Sequence, residues 1–251
     1  MIDLHAHILP GVDDGVASID AALELARAAV SDGVSVMAAT PHVRDDYPTT
    51  PERMEALVAD LRAVLSDHDV ALEVRPGGEI ALDRLAQLDP DELRRFGLGG
   101  NASLLLLEFP YYGWPIALEQ QIFELRARGI DVVLAHPERN RDVQARPESL
   151  RRAVEMGAFV QLTAASVDGR LGRSSRSAAF RLLELGLAHL VASDAHAPGV
   201  RQVGMSAAAT AVGDEALAYW LTSEVPHALL EGTHLPPRPE QQPRKRRLWP
   251  L

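Results

Sequence analysis

Short apolar runs recur along this chain with helical patterns between them, and most of the runs end on polar or ionisable residues. The candidate strands are Met1–His5, Val34–Ala39, Val70–Arg75, Ser103–Phe109, Asp131–Ala135, Phe159–Thr163 and His189–Ala192. Most are rich in Val, Leu or Ile, as strands buried on both faces are. Ser18 is placed to cap a helix whose inner stripe includes Ile19, Leu23, Ala26 and Val30. Thr50 and Pro51 start a second, with Met54, Leu57, Val58, Leu61 and Leu65 on one face. Pro115 opens a third that Gly129 ends, and Pro147 a fourth that Gly157 closes. Ser177 to Leu185 forms a fifth, closed by Gly186. Such alternation predicts parallel β-structure and an α/β barrel. A chain of 251 residues suits one such domain.

The polar groups fall at the strand ends. His5 and His7 follow the first strand, Thr40-Pro41-His42 the second and Gly77-Gly78-Glu79 the third. Glu108 ends the fourth, His136 the fifth, and Ser193-Asp194-Ala195-His196 the last. In a barrel the C-terminal rim of the strands is where active sites assemble. A flat doubly wound sheet is the alternative, but it would struggle to bring six separated strand ends to one point.

The opening Asp3-Leu-His5-Ala-His7 places two imidazoles on one side of a strand, because residues two apart share a face. Together they can grip one cation. Imidazole suits zinc, manganese and iron, and added carboxylates tilt the choice toward harder metals such as manganese. The chain has no cysteine, which excludes a thiolate nucleophile, a thiolate zinc site and any disulfide. The net charge of −10 disfavours nonspecific nucleic-acid binding. No apolar run approaches transmembrane length, and the metal-type motif begins at residue 3 with no signal peptide ahead of it. The expected location is the cytoplasm.

Each group has a plainer reading. His68, His189, His227 and His234 are read as structural, and His42 alone could be a turn residue. Glu108 is harder to dismiss, because it follows four leucines and a carboxylate at the end of a buried strand needs a partner. Asp13 could stabilise the tight turn to Gly15, and Asp14 is the preferred ligand, although spacing alone does not decide between them. Arg139 could be a surface ion-pair residue, but beside a cationic cluster its forked donors suit an anionic substrate, and Arg201 could play the same part. The groups share one structural position on successive strands, which makes coincidence the weaker account.

His-x-His-x-Leu-Pro-Gly-x-Asp-Asp-Gly from His5, Thr-Pro-His from Thr40, Gly-Glu-Ile from Gly78, Leu-Glu-Phe-Pro from Leu107, Ala-His-Pro-Glu-Arg from Ala135 and Ser-Asp-Ala-His from Ser193 occur in order. This set resembles the PHP (polymerase and histidinol phosphatase) superfamily. Within it, the chain is most similar to the bacterial tyrosine-protein phosphatases of capsule and exopolysaccharide loci. Gln161-Leu-Thr-Ala-Ala-Ser166 and Gly169-Arg-Leu-Gly172 match that subgroup too, and the likeness runs to about residue 201. It implies a distorted (β/α)7 TIM-like barrel, the PHP fold, with three divalent metal ions, often manganese, with iron or zinc as alternatives. Carried over by residue, His5, His7, Glu79 and Asp194 would hold one ion. Glu79, Glu108 and His136 would hold a second, with Glu79 bridging, and Asp14, His42 and His196 the third. Val43 stands where many relatives have a second histidine, and the segment from Ala197 to Arg201 matches loosely.

The reaction so implied is metal-assisted hydrolysis of a phosphate monoester, with water activated at the cluster and Arg139 and Arg201 on the phosphoryl oxygens. Asp14 or His196 would supply a proton where the leaving group needs one. The expected substrate is a phosphotyrosine protein, a bacterial tyrosine kinase of capsule or exopolysaccharide biosynthesis. Rival readings are a histidinol-phosphatase type of small-molecule phosphatase, a nuclease of the same superfamily, and a non-catalytic metal-stabilised scaffold that binds a kinase. The retained ligand set argues against the scaffold. The expected phosphatase domain is 1–235, and 236–251 reads as an extended Pro-rich tail with the basic run Arg244-Lys-Arg-Arg247 and then Leu248-Trp249. Solvated as a disordered end in the plain reading, that tail could instead dock on an acidic partner or a membrane surface.

Overall fold

A computed structural model describes residues 1–197 and 201–240. The chain alternates strands and helices from its first residues. β1 (Ile2–Ala6) leads to α1 (Ile19–Ser31), then β2 (Val36–Ala39), β3 (His42–Arg44), β4 (Tyr47–Pro48) and α2 (Pro51–Asp67). β5 (Glu73–Pro76), β6 (Glu79–Ala81), α3 (Pro90–Arg95), β7 (Leu104–Glu108) and α4 (Leu118–Ala127) follow. β8 (Asp131–Ala135) precedes two short helices, α5 (Arg141–Ala145) and α6 (Arg151–Glu155). β9 (Phe159–Thr163), α7 (Ala164–Val167), α8 (Arg173–Glu184) and β10 (Leu190–Ala192) complete the strand-bearing part. A helical C-terminal segment comprises α9 (Met205–Val212), α10 (Glu215–Tyr219), a π-helical turn Trp220–Glu224 and α11 (Val225–Glu231).

The fold is mixed α/β, and parallel pairing dominates it. β1, β2 and β5 form one sheet in that order. The second runs β10-β9-β8-β7-β6-β3-β4, with only the β3–β4 pair antiparallel. The two sheets meet at both margins. Ala6 bridges Ala195 in parallel, with His7 N–H donating to Ala195 O at 2.8 Å and Asp194 N–H to His5 O at 2.8 Å. On the other side, β2 passes into β3 through Thr40-Pro41, and β5 passes into β6 through Gly77-Gly78. These two breaks were not expected. Each moves one chain from the first sheet to the second and lays His42 beside Glu79 in register. Gly78 permits the step because a Cβ there would meet the Phe96 ring at 2.7 Å.

The strands are buried on both faces, and Leu104 to Leu107 expose at most 2% of their surface. The caps fall where the side chains dictate. Ser18 Oγ accepts from Ala21 N–H, and Thr50 Oγ1 from Arg53 N–H with Pro51 at the first turn. The face of α2 is the expected one, but that of α1 is rotated. Its buried residues are Ala22, Leu23, Leu25, Ala26 and Ala29, while Val30 is 36% exposed. The buried stripe is mostly alanine, and Val30 falls outside it. Helix α4 begins at Leu118, beyond a turn from Pro115. Pro147 opens a 3-10 turn (Pro147–Leu150) that runs into α6. α8 starts at Arg173, four positions before the expected Ser177, because Gly172 at φ 89° turns the chain there.

Residues just past 235 pack on the body. The Trp220 indole N–H donates to Pro236 O at 3.0 Å, and Arg238 donates to Leu183 O and Ala188 O, each at 2.8 Å. Packing on the body therefore continues to Arg238. The basic run Arg244–Arg247 with Leu248 and Trp249 lies outside the described residues. None of the described helices is long and apolar enough to cross a membrane.

Candidate metal centre

The strand ends converge on one cluster. His5 and His7 are fully buried, with their Nε2 atoms 3.2 Å apart. Their other ring nitrogens are committed. His5 Nδ1 faces the amide oxygen of Gln161 at 3.0 Å, and His7 Nδ1 faces Asp13 Oδ2 at 2.7 Å. Those oxygens accept, so each Nδ1 carries a proton and each Nε2 is left to look inward. Outer partners of this kind orient metal-ligating imidazoles. His196 follows the same pattern, its Nδ1 donating to Asp194 O at 2.9 Å.

Glu79 is the hub. Its Oε1 takes a hydrogen bond from His136 Nε2 at 2.7 Å. Its Oε2 lies 3.4 Å from His5 Nε2, 3.3 Å from His7 Nε2 and 2.9 Å from His42 Nδ1. None of these three has hydrogen-bond geometry, and Glu79 Oε2 is a buried atom without a partner. His42 Nδ1, His136 Nδ1 and His196 Nε2 are also buried without hydrogen bonds. Asp194 Oδ1 stands 3.5 Å from His5 Nε2 and 3.4 Å from His7 Nε2. Lone pairs of imidazole and carboxylate thus face one another in a buried space, which is what a divalent cation site requires.

Asp13 and Asp14 separate cleanly. Asp13 Oδ1 accepts from Gly15 N–H at 2.9 Å, and its Oδ2 accepts from His42 N–H at 3.0 Å as well as from His7. It braces the turn and two ligand-bearing segments. Gly15 is needed there, because a Cβ would collide with the backbone and Cβ of His7. Asp14 instead points its Oδ1 at His196 Nε2, 3.2 Å away, and at His42 Nε2, 3.3 Å away.

Potential ligand atoms gather within 4.8 Å in four overlapping groups. They are His7, Asp14, His42 and His196; His5, Glu79 and His136; His5, His7 and Asp194; and His42, Glu79 and Glu108. All nine sequence-nominated residues are present. The grouping differs from the carried-over scheme: Glu108 falls with His42, His136 with His5, and His7 also joins Asp14, His42 and His196. For Glu108 the physical reason is Arg44, whose Nη1 holds Glu108 Oε1 at 3.0 Å and keeps the carboxylate toward β3.

Burial and charge oppose each other here. Burial alone would push Glu79 and Asp194 up, yet the surrounding imidazoles hold both carboxyls well below the ordinary range. The imidazoles of His196 and His42, close against it, hold Asp14 well below the ordinary carboxylate range. Burial pulls His42 down, but the Glu79 charge and Asp14 outweigh it and raise it to about 9. His5 and His7 rise for the same kind of reason. Burial keeps His196 neutral, down to about 4, and also lowers His136. The cluster therefore demands positive charge, from protons or from a cation. His136 and Asp194 have φ of 41° and 52°, a strained left-handed backbone that aims both side chains inward.

Arg139 and Arg201 sit at the edge. Arg139 Nη1 donates to Asp194 Oδ2 at 2.7 Å, and its guanidinium lies 4.6 Å from the centre of the Tyr111 ring. Arg201 donates to Asp14 Oδ2 at 3.1 Å and approaches Asp194 Oδ1 at 3.5 Å. Its carbonyl accepts from His196 N–H at 2.9 Å. Several residues escaped the sequence reading. Tyr111 stacks on His136 with ring centres 5.7 Å apart, and Tyr47 on His42 at 5.7 Å. Asp3 accepts from Ser193 N–H at 2.9 Å, and Glu138 from Thr163 N–H at 3.0 Å and Ser166 Oγ at 2.7 Å. Asp3 and Gln161 carried a legible signal, being polar residues inside buried strands. Arg44 and the tyrosines carried none.

Nine imidazole and carboxylate side chains at the ends of largely parallel strands define a candidate polynuclear metal centre in an α/β scaffold. The chain belongs to the family described as capsular polysaccharide synthesis, CpsB/CapC, which matches residues 1–223. It is 36% identical over 237 residues to the tyrosine-protein phosphatase YwqE of Bacillus subtilis (strain 168), covering 94% of this chain and 91% of that protein. It is 33% identical over 199 residues to the putative tyrosine-protein phosphatase CapC of Staphylococcus aureus, covering 78% and 77%. Among solved structures, it matches those of YwqE from Bacillus subtilis and CpsB from Streptococcus pneumoniae, described as unique metal-dependent tyrosine phosphatases. That match has a TM-score of 0.86 and 35% identity over 96% of this chain and all of the other. A probable 2-pyrone-4,6-dicarboxylic acid hydrolase from Acinetobacter baumannii shares the fold alone, at a TM-score of 0.57 and 15% identity.

Proposed function

We propose that this protein is a metal-dependent protein-tyrosine phosphatase that acts on a tyrosine kinase of capsule or exopolysaccharide biosynthesis. The observation that carries this reading is the convergence of His5, His7, Asp14, His42, Glu79, Glu108, His136, Asp194 and His196 on one buried cluster flanked by two arginines. Family membership supports it. The scaffold is a distorted (β/α)7 barrel, a reading supported by the Ala6–Ala195 bridge and the two strand breaks. The catalytic unit is residues 1–235.

Those nine residues would hold three divalent ions, and the mixture of imidazole and carboxylate favours manganese. Bound there, the ions would activate water near neutral pH and withdraw charge from the phosphoryl group. The protein does the rest. Asp13 and Gln161 keep the Nε2 atoms of His7 and His5 inward. Arg139 and Arg201 present forked donors to the outer phosphoryl oxygens. Phenolate is a good leaving group, and Asp14 or His196 at the exposed side would pass it a proton where one is needed.

The decisive experiment assays manganese-loaded protein on a phosphotyrosine peptide, histidinol phosphate and a 3′-phosphorylated oligonucleotide. The peptide should be the preferred substrate. Preference for histidinol phosphate, or no turnover of any substrate, would overturn the assignment.

A further inference from the structure

A cavity of about 260 Å³ opens beside Arg139, and neither Asp14 nor Arg201 lines it. Tyr111, Tyr112, Arg139, Arg141, Gln144 and Ser175 line it, and Leu171 supplies the remaining wall. Two guanidinium groups face this space, and no carboxylate lines it. That is unusual on a chain with a net charge of −10. Arg139 is anchored to Asp194 at one end, so it connects the cavity directly to the metal cluster.

Arg141 is different. Its backbone is pinned, with its N–H donating to Tyr111 O at 3.1 Å. Its guanidinium lies over the Tyr112 ring, 4.8 Å from the centre, and Tyr112 is 69% exposed. Among the described residues it makes no ion pair. Most other arginines around the site are paired, including Arg44 with Glu108 and Asp46. A guanidinium held in place on an aromatic face and left without a carboxylate is preorganised for an anion brought by a ligand. Ser175 adds a hydroxyl that accepts from Gln144 Nε2 at 3.3 Å, so its own proton can be donated into the cavity.

We propose that this cavity is a substrate subsite in which Arg141 binds the carboxylate of an acidic residue flanking the phosphotyrosine. The inference rests on the phosphatase reading above and extends it to the peptide around the target. Tyr112 and Tyr111 provide apolar walls for the stem of the Asp or Glu side chain, and Arg141 meets its carboxylate with a fork. The phosphoryl group lies at the cluster under Arg139. Arg141 is thus a specificity residue and not a catalytic one.

The test measures kcat/KM on three phosphotyrosine peptides that differ only in flanking residues, which are Glu, Gln or Lys. Phenyl phosphate serves as a fourth substrate for the native protein. Native protein should favour the Glu peptide over the Gln peptide by about fivefold, the scale of a partly exposed charge pair. In Arg141→Gln the ratio should fall toward one. In Arg141→Glu it should invert in favour of the Lys peptide. The ratio is taken within each variant, so a general loss of activity does not mimic the effect. Equal use of the Glu and Gln peptides by native protein, or an unchanged ratio in both variants, would overturn the subsite and leave the phosphatase reading standing. Absence of turnover on phenyl phosphate and all three peptides would instead overturn both.

Discussion

Asp13 and Asp14 are adjacent in the chain and do different work. Asp13 donates nothing and accepts three times, bracing Gly15, His7 and His42, while Asp14 faces two imidazoles at the open side. Glu79 touches four imidazoles, so its loss should be felt throughout the cluster. Glu79→Gln should lower both metal content and turnover more than Glu108→Gln does, because Glu108 shares its load with Arg44. Metal analysis with steady-state kinetics on a phosphotyrosine peptide checks this, and near-normal content in Glu79→Gln would contradict it. Arg139→Ala removes a charged contact worth about 2–4 kcal/mol to a developing transition state. Efficiency should drop by about 30-fold to 1,000-fold, with metal content unchanged. Arg139→Lys should restore only part of it, since an ammonium has no fork. Coincident metal loss would instead make Arg139 a prop for Asp194.

At the scale of elements, the faces of helices and the environments of strands yield two further expectations. Helix α1 buries Leu25 at 5% exposure and leaves Val30 at 36%. Leu25→Ala should therefore cost about 2–5 kcal/mol and Val30→Ala about 0.5 kcal/mol or less. Urea unfolding of the two variants distinguishes this face from the one that includes Val30. His189, just before β10, accepts from Val160 N–H at 3.1 Å through its Nδ1 and lies edge-on to Phe159. Burial, reinforced by the charge of Arg238, holds it down to about 4, against an ordinary value of 6.5. Folded protein keeps this imidazole neutral where the unfolded chain protonates it. The stability at stake is fully present above pH 6.5 and is lost as pH falls toward 4, with a total on the order of 3 kcal/mol. His189→Gln should flatten the unfolding free energy against pH in that window relative to native protein. Identical pH profiles would remove His189 from the account.

For the molecule as a whole, nine ligand-type residues and no cysteine make a simple contrast. Chelation followed by gel filtration should abolish phosphatase activity, and readdition of manganese should restore it. Thiol alkylation should have no effect. Full activity in thoroughly demetallated protein would end the metal mechanism.

Most strand positions, the helix caps at Ser18 and Thr50, and the ionisable groups at the strand ends were legible in the residues, because each depends on local chemistry. Apolar runs bury themselves, short hydroxyl side chains cap helices, and ionisable groups at the ends of buried strands need partners. The family likeness then supplied an ion grouping that local chemistry could not. Three-dimensional packing decided the remainder. The breaks at Thr40-Pro41 and Gly77-Gly78 carry two strands between sheets, and no short window of sequence reports a pairing partner. The same holds for Arg44 drawing Glu108 toward His42, for Asp14 facing His42 and His196 while Asp13 braces His7 and the turn, and for Arg141 standing over Tyr112. Residue type and spacing determined which groups could serve a metal centre. Which of them meet, and at what distance, was set by contacts between segments far apart in the chain.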